Sequence, residues 1–171
     1  MSTLNVTNIK AADGASALTI ANSTGVITNS AIPAFSANRS SALNISSTNQ
    51  TVVFNAVTHN QGSHYNSGTG KFTAPVSGLY FFSAGIGVQN GSDSRYLVVS
   101  LQTSDTNYTD VLLTGRSSAI DTTGTTYDGI YISGVVPLTA NQFVLCKAEM
   151  ENSSACVVSD KSCYFTGYLI G

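Results

Sequence analysis

The chain holds two histidines, His59 and His64, three cysteines, Cys146, Cys156 and Cys163, and nine carboxylate side chains, a small supply of bases, nucleophiles and metal ligands. Catalysis by acid, base or nucleophile needs such groups positioned within hydrogen-bond reach of one another. His59 and His64 lie in the turn-rich stretch HNQGSHYNSGTG with no Ser, Cys or carboxylate motif beside them, which reads as solvated loop histidines. Asp105, Asp110, Asp121 and Asp128 are dispersed among turns and strand ends and lack the Asp-x-Asp spacing of a calcium loop. Glu149 and Glu151 share one strand face and read as a solvated edge. Arg39, Arg95 and Arg116 read as donors of interface or rim hydrogen bonds rather than as a substrate clamp. The cysteines are odd in number and without metal-ligand spacing, and read as buried thiols. The expectation is therefore no catalytic residue, no metal site and no cofactor.

Composition narrows the remaining functions. Only 9% of the 171 residues are charged and the net charge is −2, so the chain carries no basic footprint for nucleic acid. Its polar surface comes instead from Ser, Thr, Asn and Gly, in strings such as NISSTNQT, NSGTG and DTTGTT, the residues of turns and strand ends. Sparse charge gives little colloidal repulsion, which suits a protein that lives in an assembly. No apolar run approaches the roughly 20 residues of a membrane helix, and MSTLNVTNIK lacks the apolar segment of a secretory signal, so no membrane partner and no processing are expected. The many Asn-x-Ser/Thr triplets follow from the abundance of those residues.

The length accommodates one buried core and a short appendage. Apolar residues alternate rather than recur at helical spacing, which predicts an all-β domain with almost no helix. Up to about Ser30 the segment LNVTNIKAADGASALTIANSTGVITNS has no aromatic residue and breaks at AADGA and NSTG, an arm too poor in apolar surface to order alone. From Pro33 onward the strand-like runs AFSAN, TVVFNAV, KFTAPV, GLYFFSAGIGVQN, RYLVVSLQT, YTDVLLTGRSS, TYDGIYISGVVPLT, NQFVLCKAEME and CYFTGYLIG follow at the cadence of a sandwich or jelly roll.

The run Tyr80, Phe81, Phe82 sets the central problem. One strand face would carry Tyr80, Phe82, Ala84, Ile86 and Val88, and the opposite one Leu79, Phe81, Ser83, Gly85 and Gly87. The second face opens with two large apolar groups and ends in small residues, as where another protein packs closely. GIYISGVV places Tyr131 opposite Ile132, and CYFTGYLIG places Tyr164, Tyr168 and Ile170 opposite Phe165 and Leu169. Strands apolar on both faces imply burial on both faces, here by another copy of the chain. The alternative is that these aromatics are singly exposed.

The spacing of Phe54, Asn60, Tyr65, Phe72, Gly78, Tyr80 and Phe82 resembles the signature of the complement C1q globular head, a relative of the tumour necrosis factor fold. HYNSGTGKFTAPVSGLYFFSAG resembles that family's central stretch, VVPLTANQFVLCKAEM its penultimate hairpin and CYFTGYLIG its closing strand, over about Ala34 to Ile170. Ala84 departs from it, standing where an aromatic is usual. The resemblance implies a jelly-roll sandwich of two antiparallel sheets, homotrimeric through the sheet that contains the Tyr80 strand and the C-terminal strand. Leu79, Phe81, Tyr131, Tyr164 and Tyr168 would then form the trimer interface. Gly68 and Gly70 would serve a tight turn, Pro75 would end a strand and Gly78 would start the long one.

Residues 1–32 form an expected extended N-terminal arm, and 33–171 the jelly-roll domain. The arm has no Gly-X-Y repeat; it resembles the N-terminal segments of structural proteins from tailed bacteriophages. Together the two resemblances imply a non-enzymatic virion structural protein, a trimeric capsid decoration, cement or head-fibre component on the virion surface, made in the host bacterial cytoplasm. Its arm would attach to the major capsid protein or to tail or fibre components. The alternative implied is a receptor- or glycan-binding tip of a tail fibre, or a C1q-like lectin, meeting a host-surface glycan through the loops Asn90–Ser94 and Asp121–Thr126.

Overall fold

The computed structural model describes residues 8–10, 12, 14, 16–20, 24–29, 31–45, 48–89, 96–104, 110–118, 127–151 and 162–171. Among them are fourteen strands and no helix. In chain order these are β1 (Asn8–Lys10), β2 (Ser16–Ile20), β3 (Ile27–Thr28), β4 (Ala34–Asn38), β5 (Gln50–Thr51), β6 (Ala56–Gln61), β7 (Tyr65–Asn66) and β8 (Lys71–Thr73), followed by β9 (Gly78–Gln89), β10 (Leu97–Gln102), β11 (Val111–Ser117), β12 (Tyr127–Leu138), β13 (Phe143–Met150) and β14 (Tyr164–Leu169).

Two antiparallel sheets enclose the core. One has the order β12-β9-β14-β4-β6; the other runs β11-β10-β13-β8-β7, with β5 also paired to β13. Non-consecutive neighbours such as β9, β14 and β4 mark the crossings of a jelly roll. Pro137, which cannot donate a ladder hydrogen bond, is tolerated because β12 is an edge strand.

The strict alternation of β9 sends Tyr80, Phe82, Ala84, Ile86 and Val88 into the core, each 0–1% exposed. Phe35 on β4 stacks on Tyr65 at 4.6 Å and on Phe72 at 5.1 Å between ring centroids, and meets Phe165 edge-on at 4.8 Å. Such pairs add to the apolar area they bury. Phe54 is fully buried, and its carbonyl accepts the Tyr65 hydroxyl at 2.9 Å. Asn60 clamps the same turn, donating to the Tyr65 carbonyl at 2.8 Å and accepting the Tyr65 N–H at 3.1 Å. Ala84 is flanked in register by Phe165 and Ile132, two large buried side chains that fill the space beside it.

The thiols of Cys146 and Cys163 are buried and free. Burial pushes the Cys163 thiol up to about 11 and that of Cys146 further, so both stay protonated at neutral pH. Cys156 lies outside the described residues.

Several sequence expectations are corrected here. The N-terminal segment is not extended: β1, β2 and β3 pair into an antiparallel meander, with Gly14 and Gly25 between the strands at φ of 84° and 66°, angles that turn the chain back. Gly70 has φ of 73° in the Asn66–Gly70 turn, whereas Gly68 does not need a positive φ there. Glu149 pairs with Val98 of β10 on one side and stands one residue past the end of the β5 pairing at Ala148 on the other, half-buried at the margin of the sheet. His59 is a strand residue of β6 rather than a loop residue.

Candidate functional site

The outward face of the five-stranded sheet is the part of the molecule whose chemistry calls for a partner. Strand register sorts it into rows. Val135, Phe81, Tyr168 and Ala34 stand side by side across β12, β9, β14 and β4. Next to them run Ser133, Ser83, Thr166 and Ser36, a hydroxyl row continued on β6 by His59. Beyond it come Tyr131, Gly85 and Tyr164. The face is therefore two aromatic and aliphatic bands separated by small hydroxyls, with Leu79 and Ile170 at its far end.

The apolar bands are open in the single chain. Leu79 is 48% exposed, Tyr131 59%, Val135 52%, Tyr168 46% and Ile170 53%. Phe81 is half-buried against Tyr168, with ring centroids 5.4 Å apart, and Tyr164 lies 6.3 Å from Tyr131 in a stacked pair. The Tyr164 and Ser83 hydroxyls are 3.3 Å apart. Covering one such ring is worth on the order of 2 kcal/mol, so this face can drive association.

The small residues of β9 have a different cause from the one expected. A Cβ on Gly85 would sit 2.5 Å from Tyr164 Cε1 and 2.6 Å from Tyr131 Cδ1, and one on Gly87 would meet Ser162. These glycines make room for side chains of the same chain; the Tyr131 and Tyr164 rings then provide the apolar surface. Val135 joins Phe81 in its row although it was not among the expected interface residues. The signal was there in GIYISGVV, where Val135 follows Tyr131 by four residues and so shares its strand face.

The expected signature residues form the opposite, inward set with Phe54, Tyr65, Phe72, Tyr80 and Phe82 buried. Gly78 opens β9, where a Cβ would approach Leu169 Cδ1 to 2.8 Å. The remaining candidates are scattered. His64 lies in the β6–β7 turn with its ring edge-on to Phe72 at 6.5 Å. Arg39 ties loops of its own chain, its guanidinium donating to the Val53 carbonyl at 2.6 Å and the Ser41 carbonyl at 3.0 Å. Arg95, Asp105, Asp121 and the two proposed glycan loops lie outside the described residues. No group of three or more His, Cys, Asp or Glu able to hold a metal ion occurs among the described residues.

A second feature occupies the other sheet. Tyr96, Val98, Thr114, Arg116 and Glu149 line an open cleft of about 490 Å³. Arg116 stands 4.8 Å over the Tyr96 ring, and the Tyr96 hydroxyl donates to Glu149 at 3.0 Å. That bond to a carboxylate holds the phenol above its ordinary range.

Comparison with known proteins agrees with this architecture. The family profile described as "C1q domain" matches residues 34–170. Complement C1q tumor necrosis factor-related protein 7 of Mus musculus is 46% identical over 50 residues, 29% of this chain and 16% of that protein, so the match spans a small part of the relative's length. The globular domain of zebrafish complement 1qA superposes with a TM-score of 0.60 at 20% identity, covering 81% of this chain and 98% of the other. Eiger TNF from S. frugiperda superposes with a TM-score of 0.57 at 12% identity, covering 82% and 92%. At these identities the superpositions speak for the fold alone.

Proposed function

The chain belongs to the C1q domain family, and from that premise we propose that it is a non-enzymatic structural protein, homotrimeric through the outer face of the five-stranded sheet. One observation carries the reading: a sheet whose inner face is closed by the core leaves Leu79, Phe81, Tyr131, Val135, Tyr168 and Ile170 on its outer face, with most of them half open to water. Three copies packed through that face would bury both bands. The hydroxyl row between them supplies hydrogen bonds without the cost of burying a charge.

In this reading the trimer is a decoration, cement or head-fibre component of a phage virion, held by its N-terminal segment to the major capsid protein or to tail or fibre components. It is made in the host bacterial cytoplasm and displayed on the virion surface. The likeness of residues 1–30 to tailed-phage structural proteins and the sparse surface charge support the setting. Removing residues 1–30 should leave a soluble trimer that no longer joins particles in a co-sedimentation assay. Normal decoration by the truncated protein would refute the anchoring role.

The cleft at Tyr96 favours a second reading, recognition of a host-surface glycan. An aromatic ring, a guanidinium, a carboxylate and the Thr114 hydroxyl around one open hollow match the mixed apolar and hydrogen-bonding character of a sugar. Saturable binding on a glycan array that drops at least tenfold in Arg116→Ala would support it, and a silent array for the intact trimer would remove it.

A further inference from the structure

We propose that the aliphatic face of the N-terminal meander is covered by the same face of the other two chains in the trimer, making the segment a second assembly element beneath the head. The proposal rests on the trimeric reading above.

Register defines that face. Ile9 pairs with Leu18, and Ile20 with Ile27. Leu18 and Ile20 are two residues apart on β2, so the four side chains stand on one side of the sheet. The opposite side carries Asn8, Thr19 and Thr28, also in register, with the Thr19 hydroxyl donating to Asn8 Oδ1 at 3.2 Å. At the pairs Ile9–Leu18 and Ile20–Ile27 one side of the sheet is aliphatic, and at Asn8–Thr19–Thr28 the other is polar, while the register shifts at the Lys10–Ser16 end. Yet Ile9 is 51% and Ile27 61% exposed, and Leu18 and Ile20 are only half-buried. Strands of two to five residues bury little apolar surface among themselves, so covering this face adds directly to the stability of the sheet.

Three observations make sister chains the occupant. The half-exposed centre of the face, Ile9, Leu18, Ile20 and Ile27, is aliphatic, so its complement is another aliphatic surface, and an identical face related by symmetry supplies one. The segment also leaves the head at the proposed interface. Only residues 29–33 separate Thr28 from Ala34, and Ala34 stands in the row of Phe81 and Tyr168. Finally, Gln61 Nε2 donates to the carbonyls of Asn29 at 3.0 Å and Ile32 at 2.6 Å, fixing that exit against β6. A trimer of heads would therefore hold three meanders close together, at an effective concentration that makes even a weak association favourable. The aliphatic seam then continues the aromatic one, leaving the polar side outward for a virion partner.

The test uses full-length protein, with capsids added only as a comparison. Under mild oxidation Ile20→Cys should give intermolecular disulfides at least tenfold faster than Thr19→Cys on the polar side, above the wild-type background; equal rates would overturn the proposal. In case the cysteine disturbs the sheet, hydrogen exchange gives an independent readout. The amides of β2 should be protected in the wild type and lose protection in Ile27→Asp, while β9 and β14 stay protected and the mass stays trimeric. Unprotected β2 amides in a trimeric wild type, or protection that arises only with added capsids, would overturn the inference and leave the head trimer standing. A wild-type protein that is monomeric at every concentration would remove the trimeric reading itself.

Discussion

Phe81→Asp is expected to yield a folded chain at one third of the native mass, measured by size-exclusion chromatography with light scattering. Phe81 points away from the core, half-buried beside Tyr168 and in one row with Val135. In a single chain the introduced carboxylate can reach water, so the sandwich keeps its stability. Between subunits it would be dry, unpaired and repeated in every copy, at a cost of several kcal/mol each. The lost ring removes roughly another 2 kcal/mol per subunit. Association should be lost while circular dichroism and melting of the domain remain close to those of the parent. A variant of unchanged mass would show that subunits do not meet through this face.

Phe82→Ala, one residue further, should have the opposite phenotype. Phe82 is fully buried, with the rings of Phe72 at 5.5 Å, Phe165 at 5.9 Å, Tyr80 at 6.2 Å and Phe35 at 6.4 Å. Removing it leaves a cavity among rigid rings that cannot collapse, which costs about 3–5 kcal/mol. Against a total stability of about 5–15 kcal/mol, that lowers Tm by roughly 10 °C or more. Structure and assembly should then be lost together on heating, unlike in Phe81→Asp. A melting temperature within about 2 °C of the parent would contradict the packing described for this side chain.

This contrast between neighbours was legible in GLYFFSAGIGVQ because a strand has a period of two: once Tyr80 and Phe82 point inward, Phe81 must point outward. The same arithmetic separates Tyr131 from Ile132 and Tyr164 from Phe165. Reading the glycines was less successful. Gly85 suggested close approach by a partner, and it is instead overlain by Tyr131 and Tyr164, which reach it from strands on either side. His59 was misplaced for a related reason: where a loop gives way to a strand depends on what lies beside it, here β4.

Alone, then, the sequence determined the all-β class and the inward and outward sides of β9, β12 and β14, which follow from alternation within one segment; Phe54, Tyr65 and Phe72 were marked by the family resemblance, and Phe35, at the centre of the buried rings, was not foreseen. Tertiary structure decided which outward residues become neighbours: Val135 beside Phe81, Ser83 between Ser133 and Thr166, Ile9 against Leu18. Register is a property of two paired strands, so no single segment contains it, and a slip of one residue would turn every one of these side chains to the other side of its sheet.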